Sequence, residues 1–163
     1  MKAILHNIRS MHNVGSMFRT ADAAGIEKLY LTGITPAPVD ELGNPRPQLT
    51  KISLGAEKMV PWEKHASATQ LIKRLKKEGH IIIALEQNEN AVAIFKMKDY
   101  VFLHDRKKKR NIVMVVGNEV RGLSPAVLKL ADHIVEIPMR GRKESLNVAV
   151  AFGIAAYWFL RYH

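Results

Sequence analysis

The chain has 163 residues, 47% of them hydrophobic, which is enough for one continuous core and argues for a single domain over 1–163. Its 25 Lys and Arg outnumber 15 Asp and Glu, so the formal charge of +10 points to a polyanionic partner: RNA, DNA or an anionic membrane surface. No cysteine is present, which excludes disulfides, thiolate metal sites and cysteine nucleophiles.

The N-terminus, MKAILHNIRSMHNVGSMF, lacks the apolar core of about 7 to 15 residues that a secretory signal needs. KAILHN (2–7) reads as a first strand, followed by a helix from about Gly15 to Ala24 that stops at Gly25, a residue suited to the left-handed position after a helix. EKLYLTG (27–33) reads as a second strand. Pro36, Pro38, Gly43, Pro45 and Pro47 then predict a long irregular loop. Ser67 caps a helix from about Ala68 to Glu78, with Gln70 placed as in a capping box and Gly79 at its end. IIIALE (81–86) predicts a buried strand, and NIVMVVGNE (111–119) a central parallel strand running into a binding loop. Ser124 and Pro125 start a short helix to about Leu130; HIVEIPM (133–139) is the last strand, and a final helix begins near Ser145 or Asn147. Its apolar run, 148–160, is shorter than the roughly 20 residues that span a bilayer, so a soluble cytoplasmic protein without a membrane anchor is expected. Strands alternating with helices predict an α/β fold: a mostly parallel sheet flanked by helices.

Three stretches carry groups suited to chemistry. In NVGSMFRTADAAG, Gly15 permits close approach, Asn13 offers donors and an acceptor near a helix start, and Arg19 lies one turn beyond Gly15 on the same side. The ordinary reading, with Asn13 as a cap and Arg19 paired to Asp22, is the commoner outcome of such spacing. In VVGNEVRGLSP, Leu123 stands where a P-loop needs Lys, and no G-x-G-x-x-G occurs anywhere, so both common nucleotide signatures fail. What remains is a glycine-bracketed loop, Gly117 to Gly122, at a strand end, with Asn118 and Glu119 either turn formers or ligand contacts. In IPMRGRKESLNVAVAFG, Ser145 and Asn147 offer hydrogen bonds at a helix start, again open to reading as caps.

The helix after Asn147 is apolar nearly all round. Val148, Ala151, Phe152, Ala155 and Phe159 fall on one side and Val150, Ile154 and Tyr157 on another, so the second side is expected to bury against another subunit. Basic runs at 73–77, 106–110 and 140–143 hold much of the excess charge, and the third adjoins Ser145, Leu146 and Asn147, where it can bring RNA to that mouth. Seven histidines show no zinc-like i,i+4 pair and no G-x-S-x-G elbow is present, so no metal is expected.

Together, and in this order, the three stretches resemble the motifs of the SpoU-type (TrmH-like) RNA ribose methyltransferases of the SPOUT superfamily. Asn13, Gly15 and Arg19 match the first motif; Gly117, Asn118, Glu119, Gly122 and Leu123 the second; Ile137, Pro138, Met139, Ser145, Leu146 and Asn147 the third. Val120 departs from the small residue expected after Glu119. The resemblance implies a C-terminal trefoil knot, S-adenosylmethionine (SAM) as cofactor, and a homodimer through the C-terminal helix with the active site near the interface. It also implies methylation of a ribose 2′-hydroxyl in tRNA or rRNA, tRNA slightly favoured because no separate N-terminal RNA-binding domain is expected. The implied catalytic group is Arg19 with Asn13, Glu119, Ser145 and Asn147, and the implied cofactor residues are Gly117, Asn118, Ile137, Met139 and Leu146. A guanidinium stays protonated in proteins, so Arg19 is better suited to stabilising a developing alkoxide than to acting as a free base. The rivals are a base methyltransferase of the same superfamily and a noncatalytic RNA-binding or ribosome-assembly protein.

Overall fold

Every strand pairing in the sheet is parallel. In chain order the elements of the computed structural model, which describes residues 1–97 and 111–160, are β1 (Lys2–His6), α1 (Met11–Ala24), β2 (Lys28–Thr32), α2 (Pro47–Ser53), α3 (Ala56–Met59), β3 (Trp62–His65) and α4 (Ala68–Lys77). They are followed by β4 (Ile81–Leu85), β5 (Val92–Ala93), a 3-10 turn (Ile94–Lys96), β6 (Ile112–Val116), α5 (Pro125–Leu128), β7 (His133–Glu136) and α6 (Val148–Leu160). The basic run at 106–110 lies outside the described residues.

The seven strands run in the order β3-β2-β1-β6-β4-β7-β5. Period-two side chains sort the core into two layers. Ala3 and Leu5 of β1, Met114 and Val116 of β6, and Ile83 of β4 face the side covered by α1, α2 and α6. Ile4, Val113, Val115, Ile82 and Ala84 face the side covered by α4 and α5. β6 lies between β1 and β4 and is buried along its whole length, which is why its sequence is a β-branched run with no polar alternation.

Ser67 caps α4 as expected, its hydroxyl accepting from the Gln70 backbone at 3.3 Å. Other boundaries moved. α1 begins at Met11, four residues before Gly15, because Ser10 caps it by accepting from the Asn13 N–H at 3.2 Å. Gly15 is therefore inside the helix, where its missing side chain admits Leu49 O and Ile52 of α2; it serves helix packing. The proline-rich stretch closes a bridge between Val39 and Pro45, and Pro47 starts α2 instead of breaking structure, since the first helical position has no need of an N–H. No helix among the described residues is long and apolar enough to cross a membrane.

Candidate active site

The C-terminal ends of β4, β6 and β7 open into one cleft. Leu85, Glu86 and Gln87 form one wall, the loop from Val116 to Gly122 the floor, and Glu136, Ile137, Met139, Ser145, Leu146, Val148 and Ala151 the opposite side. Gly117, Asn118, Glu119, Ile137, Met139, Ser145 and Leu146, all singled out from the sequence, line it.

The loop after β6 is held by contacts that only glycine permits. A Cβ on Gly117 would stand 2.6 Å from the Gly122 carbonyl carbon, and Gly122, at φ +62°, would place a Cβ 2.3 Å from a Glu86 carboxylate oxygen. Glu86 accepts from the Leu123 N–H at 2.6 Å and from the Gln87 N–H at 3.1 Å, clamping this loop to the end of β4. Asn118 accepts from the Val120 and Arg121 N–H groups at 3.0 and 2.9 Å while donating to the Asn7 carbonyl at 2.8 Å, so it forms the turn and ties it to β1. Val120 is highly exposed and its φ is not positive, so the turn does not require the small residue expected there.

Glu119, Asn13 and Asn147 form a directed chain. The Ala149 N–H donates to Asn147 Oδ1 at 2.9 Å, Asn147 Nδ2 to Asn13 Oδ1 at 3.2 Å, and Asn13 Nδ2 to Glu119 Oε1 at 3.0 Å. A carboxylate at one end accepts only, so the orientation of both amides follows. Glu119 also accepts from the Ser10 and Arg9 N–H groups at 3.1 and 3.0 Å, placing a negative charge at the N-terminus of α1. Burial alone would raise the pKa of Glu119; the backbone donors and Asn13 outweigh it and hold the carboxyl below its ordinary value. Asn147 thus caps α6 and also joins the site. Asn13 sits in the first turn of α1 and does not cap it, which corrects the ordinary reading of that stretch.

Arg19 stands apart. It is exposed on α1, is absent from the cleft lining, and makes no ion pair with Asp22 or with any other acid among the described residues. Its neighbour Thr20 faces Gly153 of α6, whose added Cβ would lie 3.6 Å away. Glu86, Gln87 and Glu136 line the cleft and were missed, because a carboxylate at a strand end carries no periodic signal. Asn7 was missed for another reason. Its left-handed φ of 56° is invisible in the sequence, yet its Oδ1 accepts from the Ile34 N–H at 3.1 Å and its carbonyl holds Asn118. No group of His, Asp and Glu among the described residues is arranged to hold a metal.

An open parallel sheet with a cleft beyond its strand ends, floored by a glycine-bracketed loop, defines an α/β protein of the class that takes ligands in such a crevice. The chain matches the SpoU rRNA Methylase family over residues 1–157 and belongs to that family. It is 33% identical over 153 residues to a tRNA (guanosine(18)-2'-O)-methyltransferase of Aquifex aeolicus, a match covering 93% of this chain and 64% of that protein. It is also similar to an AdoMet-bound rRNA methyltransferase from Sinorhizobium meliloti, with 26% identity and a TM-score of 0.77 over 98% of this chain and 55% of that one. A structure solved to explain 2-OH methylation of C/U34 on tRNA is 27% identical with a TM-score of 0.76, covering 96% of this chain and 91% of that one. The chain spans 64%, 55% and 50% of the length of three curated relatives.

Proposed function

We propose that this protein transfers the methyl group of SAM to a ribose 2′-hydroxyl of a structured RNA in the cytoplasm, with tRNA favoured over rRNA. The observation that carries this reading is the chain from Asn147 through Asn13 to Glu119, which joins the three motif loops at the mouth of one cleft. The 2'-O-methyltransferase named among the relatives and the excess of basic residues support it.

The cleft suits SAM by its donor set. Leu85, Ile137, Met139 and Leu146 offer apolar walls, and Glu86 and Glu136 supply acceptors and negative charge suited to a cationic ligand. Bound there, SAM supplies an electrophilic methyl group. Gly117, Asn118, Ile137, Met139 and Leu146 are assigned to holding it. Asn13, Glu119 and Asn147 have their side chains committed to one another, which supports a role in fixing the loops; Ser145, exposed at the lip, is assigned to the substrate side. Orientation of the hydroxyl supplies much of the rate in such a transfer.

Arg19 is assigned to the substrate oxygen, where its charge stabilises the developing alkoxide. Val150, Ile154 and Tyr157 form an exposed apolar stripe on α6, 51%, 38% and 57% accessible, and α6 packs on α1 beside Arg19. A guanidinium outside its own chain's cleft, next to such a stripe, supports a site completed across a homodimer. We further assign the segment after β7 to a trefoil knot, as the resemblance to this family implies.

Purified protein incubated with methyl-labelled SAM and unmodified tRNA or rRNA is expected to label ribose in digested nucleosides. Label on a base would overturn the ribose assignment, and absence of SAM binding would overturn the enzymatic reading. Arg19→Ala is expected to abolish transfer while sparing SAM affinity measured by calorimetry.

A further inference from the structure

The ion pairs of the described residues avoid the cleft. Glu63 gathers Lys28, His65 and Arg74 at the edge strand β3, Arg74 also reaches Glu78, and Lys76 meets Asp132 at 2.7 Å. The amino terminus meets Glu27, and none of these residues lines the cleft.

The loops that flank the cleft carry cations of their own. Arg9, Arg121, Arg140, Arg142 and Lys143 are all exposed, and none has an ion-pair partner among the described residues. Their backbones are built into the walls. The Arg9 N–H donates to Glu119, the Arg121 N–H donates to Asn118, and Arg140, Arg142 and Lys143 lie between the lining residues Met139 and Ser145. Three carboxylates, Glu86, Glu119 and Glu136, line the cleft itself, and Glu144 is the exposed acid on the third loop.

We propose that these five side chains form a phosphate-gripping rim that holds the RNA backbone across the mouth, while the carboxylates within keep phosphate out and leave the cleft to a cationic ligand. This rests on RNA being the substrate. Cations on a rim release counterions when they meet phosphates, so they supply affinity and orientation without reading bases. Two of the three loops are fixed by Glu119 and Asn118, so the backbone that carries their arginines is positioned before RNA arrives.

The test compares Arg121→Gln/Arg142→Gln/Lys143→Gln with Lys73→Gln/Lys77→Gln, a pair of exposed lysines on α4 outside the cleft. Binding of unmodified tRNA transcripts is measured across a KCl series, with thermal unfolding as the check on folding. The triple variant is expected to lower the slope of log Kd against log salt by about two to three, at roughly 0.7 to 0.9 per phosphate contact, and the α4 pair to leave it unchanged. An unchanged slope in the triple variant, or an equal loss per charge in the α4 pair, would overturn the rim. Binding to phosphatidylserine vesicles without binding to tRNA would overturn it in favour of a membrane surface. Rim-dependent tRNA binding without methyl transfer would uphold the rim and remove the enzymatic reading. Methyl transfer by a triple variant of unaltered salt dependence would do the opposite.

Discussion

Glu119 ends the chain of hydrogen bonds that joins the three stretches, and its geometry predicts what a minimal change does. Its two oxygens accept from three N–H donors, on Arg9, Ser10 and Asn13. Glu119→Gln keeps the shape but turns an NH2 toward the exposed Arg9 N–H and removes the negative charge facing α1, and a lost bond of this kind costs about 0.5–1.5 kcal/mol. The expected result is a lowered urea midpoint together with reduced methyl transfer. Gly122 is a harder constraint, because a side chain there meets both a positive φ and the Glu86 carboxylate. Gly122→Ala is expected to cost about 1–3 kcal/mol of strain and to weaken SAM binding, read by calorimetry. The sequence marked Glu119 and Gly122 as a bracketed loop; it did not say which partners made them irreplaceable, since those come from positions 9 to 13 and from β4.

At the scale of elements, helix ends did more than cap helices. Ser10 caps α1 and brings Asn13 to Glu119; Asn147 caps α6 and reaches Asn13 with its other atom. Reading these residues as caps or as site residues was a choice the sequence left open; Asn147 caps α6 and also bonds Asn13. Apolar runs and helical periodicity placed β1, β2, β4 and α4 within a residue or two, because burial leaves a strong local signal, while β6 and β7 each stop three residues before the expected end, where the chain turns into the loops of the cleft. β3 and β5 were not expected: Trp62–His65 is only half-buried at the sheet edge, and Val92–Ala93 is two residues long. α6 splits as its sequence suggested, Phe152, Ala155 and Phe159 buried and Val150, Ile154 and Tyr157 exposed. Ile154→Glu with Tyr157→Glu is expected to convert a dimer to a monomer in sedimentation, without loss of helicity. A dimer that survives both charges would place the interface elsewhere.

For the whole molecule, acid should act in two stages. His6 sits between Thr32 Oγ1 at 2.9 Å and Asn7 Nδ2 at 3.0 Å, and burial lowers its pKa below the ordinary 6.5. Glu119 is likewise held below its ordinary 4.5. Both bind fewer protons folded than unfolded, so each contributes stability that is present above its ordinary value and lost as pH falls through its lowered one. Urea midpoints are expected to decline below about pH 6.5 and again below about pH 4.5, and His6→Asn to remove the first decline.

From sequence alone came the parallel α/β class, the central position of β6 and the amphipathic α4, because each is written in local periodicity; the three stretches were each open to reading as caps or turns, and only their joint resemblance to a family's motifs marked them. Tertiary structure decided what those stretches are to one another. Asn13 and Glu119 are 106 positions apart and Asn13 and Asn147 134 apart, so no local pattern relates them. The insertion of β6 beside β1 and of β7 between β4 and β5 brings their loops to one edge, where hydrogen bonds of about 3 Å turn three separate motifs into a single cleft.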